Sequence, residues 1–368
     1  MKSTTPIRKI KSEFSLQNTT SFGGVKIFLA YLEKIKLADA MRGLSGGKAR
    51  NAVFSVYRIL LYLIIGWVLG CGRIFHFRKL QQDVLLLRFL GGRLPHHSLM
   101  YKELARLGRC PQLPTELRKL SLEVIRPCLP DRPILDLDSS VETVYGEQAG
   151  AAKGVNSHKP GRHSYHPLMA FEGQTRLNLN AKLRPGNTHS MTDAIDFLQH
   201  TFELLGDQQV AYARFDKGFG GEDFHRLWES RQIGYVGKLK WTKRLAAEVA
   251  TCRYWTRDVD EDWIIEGITL IYKATSWKKP RRVAVIRKTQ VCDDGQGRIV
   301  FDEDWQYEAI VTNLEWESID LWRFYNQRCC MENYIKEAKT GFSIDRIATS
   351  EFESNELDLL IKLLAYNL

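Results

Sequence analysis

The chain has 368 residues, 44% hydrophobic and 26% charged, with a formal net charge of +10 and a pI near 9.2. That length and balance suffice for a large core and exclude wholesale disorder, and the surplus of cations points to a polyanionic partner. Seven cysteines without a C-x2-C pair offer neither a zinc knuckle nor a disulfide framework, and fit reduced thiols in a cytoplasmic protein.

Residues 1–22 are polar and basic, without an apolar signal segment, and read as a flexible arm. From 23 to 130 the pattern is helical, with apolar residues three or four apart through Val25–Lys36 and again at Leu80, Val84 and Leu87. Ile59 to Gly72 is an uncharged run of 14 residues between Arg58 and Arg73. It is too short to span a bilayer and predicts a buried helix, packed closely at Gly66 and Gly70. Pro95-His96-His97-Ser98 opens a capped helix through Gly108, which suits either a helix-turn-helix reader in a DNA-binding domain or a helix packed in a bundle.

At 131 the pattern changes to strands. The first, 132–139, carries Asp136 and Asp138 and extends through Val141–Tyr145. Further strands are predicted at 165–172 and 176–183, then a helix at 191–205 capped by Ser190. A strand from Gln209 ends at Asp216 before the turn Lys217-Gly218, and a helix at 222–231 and a strand at 234–238 follow. Acids at strand ends in an α/β protein face the crevice where ligands bind. The β-β-β-α-β-α-β order predicts an α/β fold with an RNase H-like core, divided into 131–240 and 314–368 by a β-rich segment at 241–313. In that segment the turns fall at Asp260-Glu261 and Asp293-Asp294-Gly295, Trp241, Trp277 and Trp305 are candidate base-stacking residues, and Lys278–Arg282 is a candidate phosphate-binding loop.

Within 314–368, Tyr325, Arg328, Glu332 and Lys339 fall within about 60° of one another on a single predicted helix. Phe324, Met331, Ile335 and Ala338 form an apolar stripe beside them. A carboxylate flanked by two cations and a phenol suits a divalent metal beside a phosphodiester. Cys329 and Cys330 read as packing residues. The chain stops at Leu364–Leu368 inside an apolar helix, the pattern of a C-terminal truncation.

Those four residues, at Y-x2-R-x3-E-x6-K spacing, together with Leu135–Ser140, Arg214–Phe219 and Leu183–Ser190, resemble the DDE-type transposases of bacterial insertion sequences. The likeness runs from about residue 20 onward. It implies cut-and-paste DNA transposition by metal-dependent cleavage and strand transfer at terminal inverted repeats, through a hairpin intermediate. Asp138, Asp216 and Glu332 would be the catalytic acids and hold two Mg²⁺ ions, with Mn²⁺ able to substitute, and Asp136 is the rival for the first position. Tyr325, Arg328, Lys339 and Lys217 would contact DNA; Lys217 departs from the small residue expected there and could instead compete for Asp216. The implied partners are double-stranded transposon-end and target DNA, bound by a homodimer near the bacterial nucleoid, with no membrane. An RNase H-like nuclease or resolvase without strand transfer, and an inactive DNA-binding remnant, are the competing readings.

Overall fold

A computed structural model describes residues 19–49, 51–157, 159–260, 262–293, 299–301 and 305–368. Most of the expected basic arm, and the turn residues Glu261, Asp294 and Gly295, lie outside these. The segment up to Cys128 is helical: α1 (Val25–Lys34), α2 (Leu37–Met41), α3 (Val56–Val68), α4 (Val84–Phe89), α5 (His97–Gly108) and α6 (Leu113–Ile125). The uncharged run forms α3, buried all round from Ile59 to Trp67. At Gly66 the ring of Phe77 lies so close that a Cβ would stand 2.1 Å from it, which is why the residue is glycine. Gly70 serves differently: its φ of +76° turns the chain out of the helix. Among the described residues no helix is long and apolar enough to cross a membrane.

The apolar core of this helical layer is completed by Leu357, Ile361, Leu364 and Ala365 of the last helix, α12 (Phe352–Asn367). α12 packs on α3, α5 and α6. On its buried face Lys362 pairs with Asp358 at 2.6 Å, donates to the Arg346 carbonyl at 2.7 Å and lies over the Trp67 ring.

The strands form a 10-stranded mixed sheet ordered β6-β5-β1-β7-β8-β13-β11-β10-β9, with β12 paired to β11. Here β1 is Ile134–Ser139, β5 Leu168–Glu172, β6 Asn178–Lys182, β7 Tyr212–Phe215 and β8 Gly234–Leu239. β1 runs parallel to β7, and β7 parallel to β8, while β5 and β6 are antiparallel. Helices α7 (Ala194–Leu205) and α8 (Glu222–Ser230) make the crossovers. β2 (Glu142–Thr143), β3 (Ala152–Lys153) and β4 (His163–Tyr165) form a small separate sheet. The strand predicted over 165–172 is therefore two strands in different sheets, divided before Leu168.

The β-rich segment opens with a helix, α9 (Lys243–Ala250), and continues as β9 (Thr256–Asp260), β10 (Trp263–Tyr272), β11 (Arg281–Asp293), β12 (Ile299–Phe301) and β13 (Gln306–Thr312). Its antiparallel strands are not a detached unit: β13 hydrogen-bonds to β8 and prolongs the main sheet. Trp277 is core, set against His225 and Tyr272, and Arg281 is buried between Glu222 and Glu229 of α8. Both are thus taken up in holding the extension to α8. Trp241 is partly exposed and stacks on Tyr307, while Trp305 is half-buried against Arg287.

The contact at Gly66 leads to a stability prediction. A methyl group there forces Phe77 aside, so Gly66→Ala lowers stability by about 1–3 kcal/mol, read as a lower denaturant midpoint with unchanged slope.

Candidate active site

In the parallel register of β1 and β7, Asp136 faces Arg214 and Leu137 faces Phe215. Asp138 is the next residue of β1 and Asp216 follows the last residue of β7, so these two acids come level at the ends of adjacent parallel strands. Phe219 N–H donates to the Asp216 carbonyl at 2.9 Å, closing the turn that lifts the chain off the sheet there.

Asp136 and Asp138 share a face of β1, yet their surroundings separate them. Asp136 is fully buried and bidentate to Arg214, with Nε–Oδ1 at 2.6 Å and Nη2–Oδ2 at 2.7 Å. Arg214 also donates to the Phe324 carbonyl at 3.0 Å and lies over the Phe324 ring. This carboxylate is committed to a structural pair. Asp138 is partly exposed; one oxygen takes the Ser139 N–H at 2.8 Å and the other lies 3.0 Å from Arg328. Burial pushes its carboxyl above the usual carboxylate range against the pull of Arg328, and the charges of Asp216 and Glu332 push the same way.

The predicted single helix is interrupted. α10 (Ser318–Asn326) passes into a 3₁₀ turn, Gln327–Cys329, before α11 (Cys330–Phe342). The turn rotates Arg328 inward, where it is 4% exposed and donates to the Leu137 carbonyl at 3.0 Å. Tyr325 is buried among Val236, Ile310 and Leu321, with Lys238 over its ring. Burial raises its phenol above the ordinary range, and Arg328, Asp216 and Asp138 lie near enough to act on it. Glu332 is exposed in the first turn of α11, where the helix dipole favours an anion. Met331, Ile335 and Ala338 form the buried side of α11, as their spacing predicts, joined by Tyr334. Cys329 and Cys330 are both exposed, contrary to the packing role expected of them.

Lys339, half-buried, donates to the Val141 carbonyl at 3.1 Å. Lys217 is exposed in the turn after Asp216, and among the described residues neither it nor Asp216 nor Glu332 has an ion-pair partner. Ser190 does not cap α7, whose N-cap is Asp193 in the left-handed region. Its hydroxyl instead lies 3.3 Å from that of Ser139, beside Asp138. The turn that carries it is anchored by buried Arg184, which donates to the carbonyls of His166, Ser190 and Thr192. Neither Ser190 as a neighbour of β1 nor Arg214 as the partner of Asp136 was evident from spacing. An Arg inside an apolar strand run, two residues before Asp216 as Asp136 is two before Asp138, was the available signal.

Carboxylate oxygens are the donors that a hard divalent cation takes. Asp216 and Glu332 both act on Asp138, and among the described residues neither has a cation of its own, an arrangement that a bound positive ion relieves. Among the described residues no three His, Cys, Asp or Glu side chains stand close enough to hold one ion as they are placed, and Arg328 supplies the positive charge at Asp138.

A mixed α/β protein, one large sheet with helices packed around it, is the class that this fold defines. The family described as Transposase DDE domain group 1 matches residues 2–368, and the chain belongs to it: the protein is a DDE transposase, an enzyme that cuts DNA and transfers strands. No curated protein matches it. Among solved structures it is similar to piggyBac transposase, seen by cryo-EM in a synaptic complex with hairpin DNA, over 93% of this chain and 74% of that one, at 11% identity and a TM-score of 0.43. So distant a likeness carries no residue's role from one chain to the other.

Behind Lys339 sits Glu142, 1% exposed, with neither carboxylate oxygen hydrogen-bonded. Burial raises its carboxyl to about 8, against Lys339 and Lys362 and with Asp345 and Asp358. Above the ordinary carboxylate range the unfolded chain has released this proton and the folded chain has not, so stability falls as pH rises toward about 8. In scanning calorimetry the drop in Tm from about pH 5 to about pH 8 is therefore smaller for Glu142→Gln than for the parent.

Proposed function

We propose that this transposase performs cut-and-paste transposition at terminal inverted repeats, with Asp138, Asp216 and Glu332 as its catalytic acids on an RNase H-like core. The observation that carries the reading is the pairing of Asp138 with Asp216 at adjacent parallel strand ends, in the field of Glu332. Asp138, Asp216 and Glu332 would hold divalent magnesium, or manganese in its place, which would lower the pKa of an attacking water or 3′-hydroxyl and stabilise the leaving oxygen.

The protein's own groups do the rest. Asp138 and Asp216 offer oxygen ligands from a rigid sheet, and Glu332 offers one from a helix end. Arg328, held by the Leu137 carbonyl, fixes the orientation of Asp138 and places a positive charge where phosphate negative charge accumulates. Lys339 and the exposed Lys217 meet backbone phosphates, and the Tyr325 hydroxyl orients one of them. Two copies of the chain holding two DNA ends complete the working assembly, as in the insertion-sequence transposases that the signature resembles.

Glu332→Gln and Asp216→Asn reduce Mg²⁺-dependent nicking of end-labelled duplex to background while leaving DNA binding within about twofold, measured by gel electrophoresis and anisotropy. Nicking at the parental rate by Glu332→Gln would refute the assignment. Asp136→Ala behaves differently: it leaves Arg214 buried without a partner, and chemical denaturation shows a loss of about 3–5 kcal/mol.

A further inference from the structure

A cavity of about 490 Å³ opens between Val141, after β1, and Lys339 of α11, and is lined by Arg73, Lys159, Lys339 and Arg346, which come from four stretches of chain. Among the described residues Arg73 and Lys159 have no ion-pair partner. Lys339 donates only to the Val141 carbonyl, and Arg346 reaches Asp345 at no closer than 3.8 Å. Asp345 is the one acid in the lining. Glu142, behind the wall, holds its proton through the neutral range because it is sealed from water, so it cancels little of this charge. Gln148 also lines the cavity, and its buried Oε1 has no donor. Four cations gathered about one acid in a hollow of this size suit a sugar–phosphate unit of DNA.

The position fits a strand leaving the acids. Val141, on the wall, lies three residues beyond Asp138 in the chain. Lys339 lies seven residues beyond Glu332 on α11, about 10 Å along the helix axis, or about three steps of a DNA strand at roughly 3.4 Å each.

The geometry points to this cavity as a second DNA-phosphate site, in which Arg73 and Lys159, with Lys339 and Arg346, grip the backbone a few nucleotides from the bond that is cut. The inference rests on the reading of Asp138, Asp216 and Glu332 as the cutting site. It joins to that site a residue of the helical segment, Arg73, and one of the loop before β4, Lys159.

The test is the salt dependence of binding by the full chain to a fluorescein-labelled duplex of arbitrary sequence, about 30 base pairs long, because phosphate contacts are blind to sequence. Each lost contact lowers the slope of log K against log salt by about 0.9, so Arg73→Ala with Lys159→Ala lowers it by about 1.8. Arg73→Lys with Lys159→Arg keeps both charges and restores the slope, which a purely structural role would not predict. Lys26→Ala, exposed on α1, leaves it unchanged. The inference is overturned if the double alanine variant keeps the parental slope, if Lys26→Ala lowers it as much, or if the charge-keeping variant fails to restore it. Should the slope stay parental while Glu332→Gln abolishes nicking, the cavity is refuted and the cutting site stands. Should Glu332→Gln nick normally while the slope falls, the cavity binds DNA and the assigned acids fail.

Discussion

The bidentate pair between Asp136 and Arg214 is the interaction around which the site is arranged. Both side chains are sealed from water, so neither charge is tolerable alone, and the geometry that satisfies them is narrow. The pair locks β1 to β7 two residues before Asp138 and Asp216, setting the register that brings those acids level. The third contact of Arg214, to the Phe324 carbonyl, fixes the end of α10 against the same strands. Arg328 repeats the device one turn later through the Leu137 carbonyl. Two buried guanidiniums thus attach the helix bearing Glu332 to the strand bearing Asp138.

The rest of the sheet supports this junction from both sides. Antiparallel β5 and β6 cover one flank of β1, and the prolongation through β13 and β11 covers the far flank of β8. Arg281, bridging Glu222 and Glu229, fastens that prolongation to α8, behind an aromatic cluster of Phe215, Trp228 and Tyr235. The acids sit where parallel strands end, the part of such a sheet left open for a ligand.

Much of this was legible in the chain. Strand-length apolar runs ending in Asp138 and Asp216 located two acids, and helical spacing located Glu332, because period and turn chemistry are local properties. What spacing does not encode is partnership across the fold. Nothing near Asp136 marks it as the mate of a residue 78 positions away, so spacing alone leaves it level with Asp138. The 3₁₀ turn at Gln327–Cys329 places Arg328 inward against the Leu137 carbonyl, a tertiary contact that helical periodicity cannot foresee. Local composition makes Trp277 a candidate for base stacking and Arg281 one for phosphate contact, because their partners His225, Glu222 and Glu229 lie far off in sequence on α8. Ser190 carries a capping side chain, yet the left-handed backbone at Asp193 starts the helix three residues later.

α12 belongs to two neighbourhoods at once. Its apolar face completes the helical layer, while Lys362, under Trp67, holds the carbonyl of Arg346 in the loop that follows α11. Asn367 at its far end clasps both backbone groups of Asn178 on the sheet's outermost strand. The helix is therefore a tie-rod: any tilt of the helical layer is passed at once to the loop that follows α11 and to the edge of the sheet.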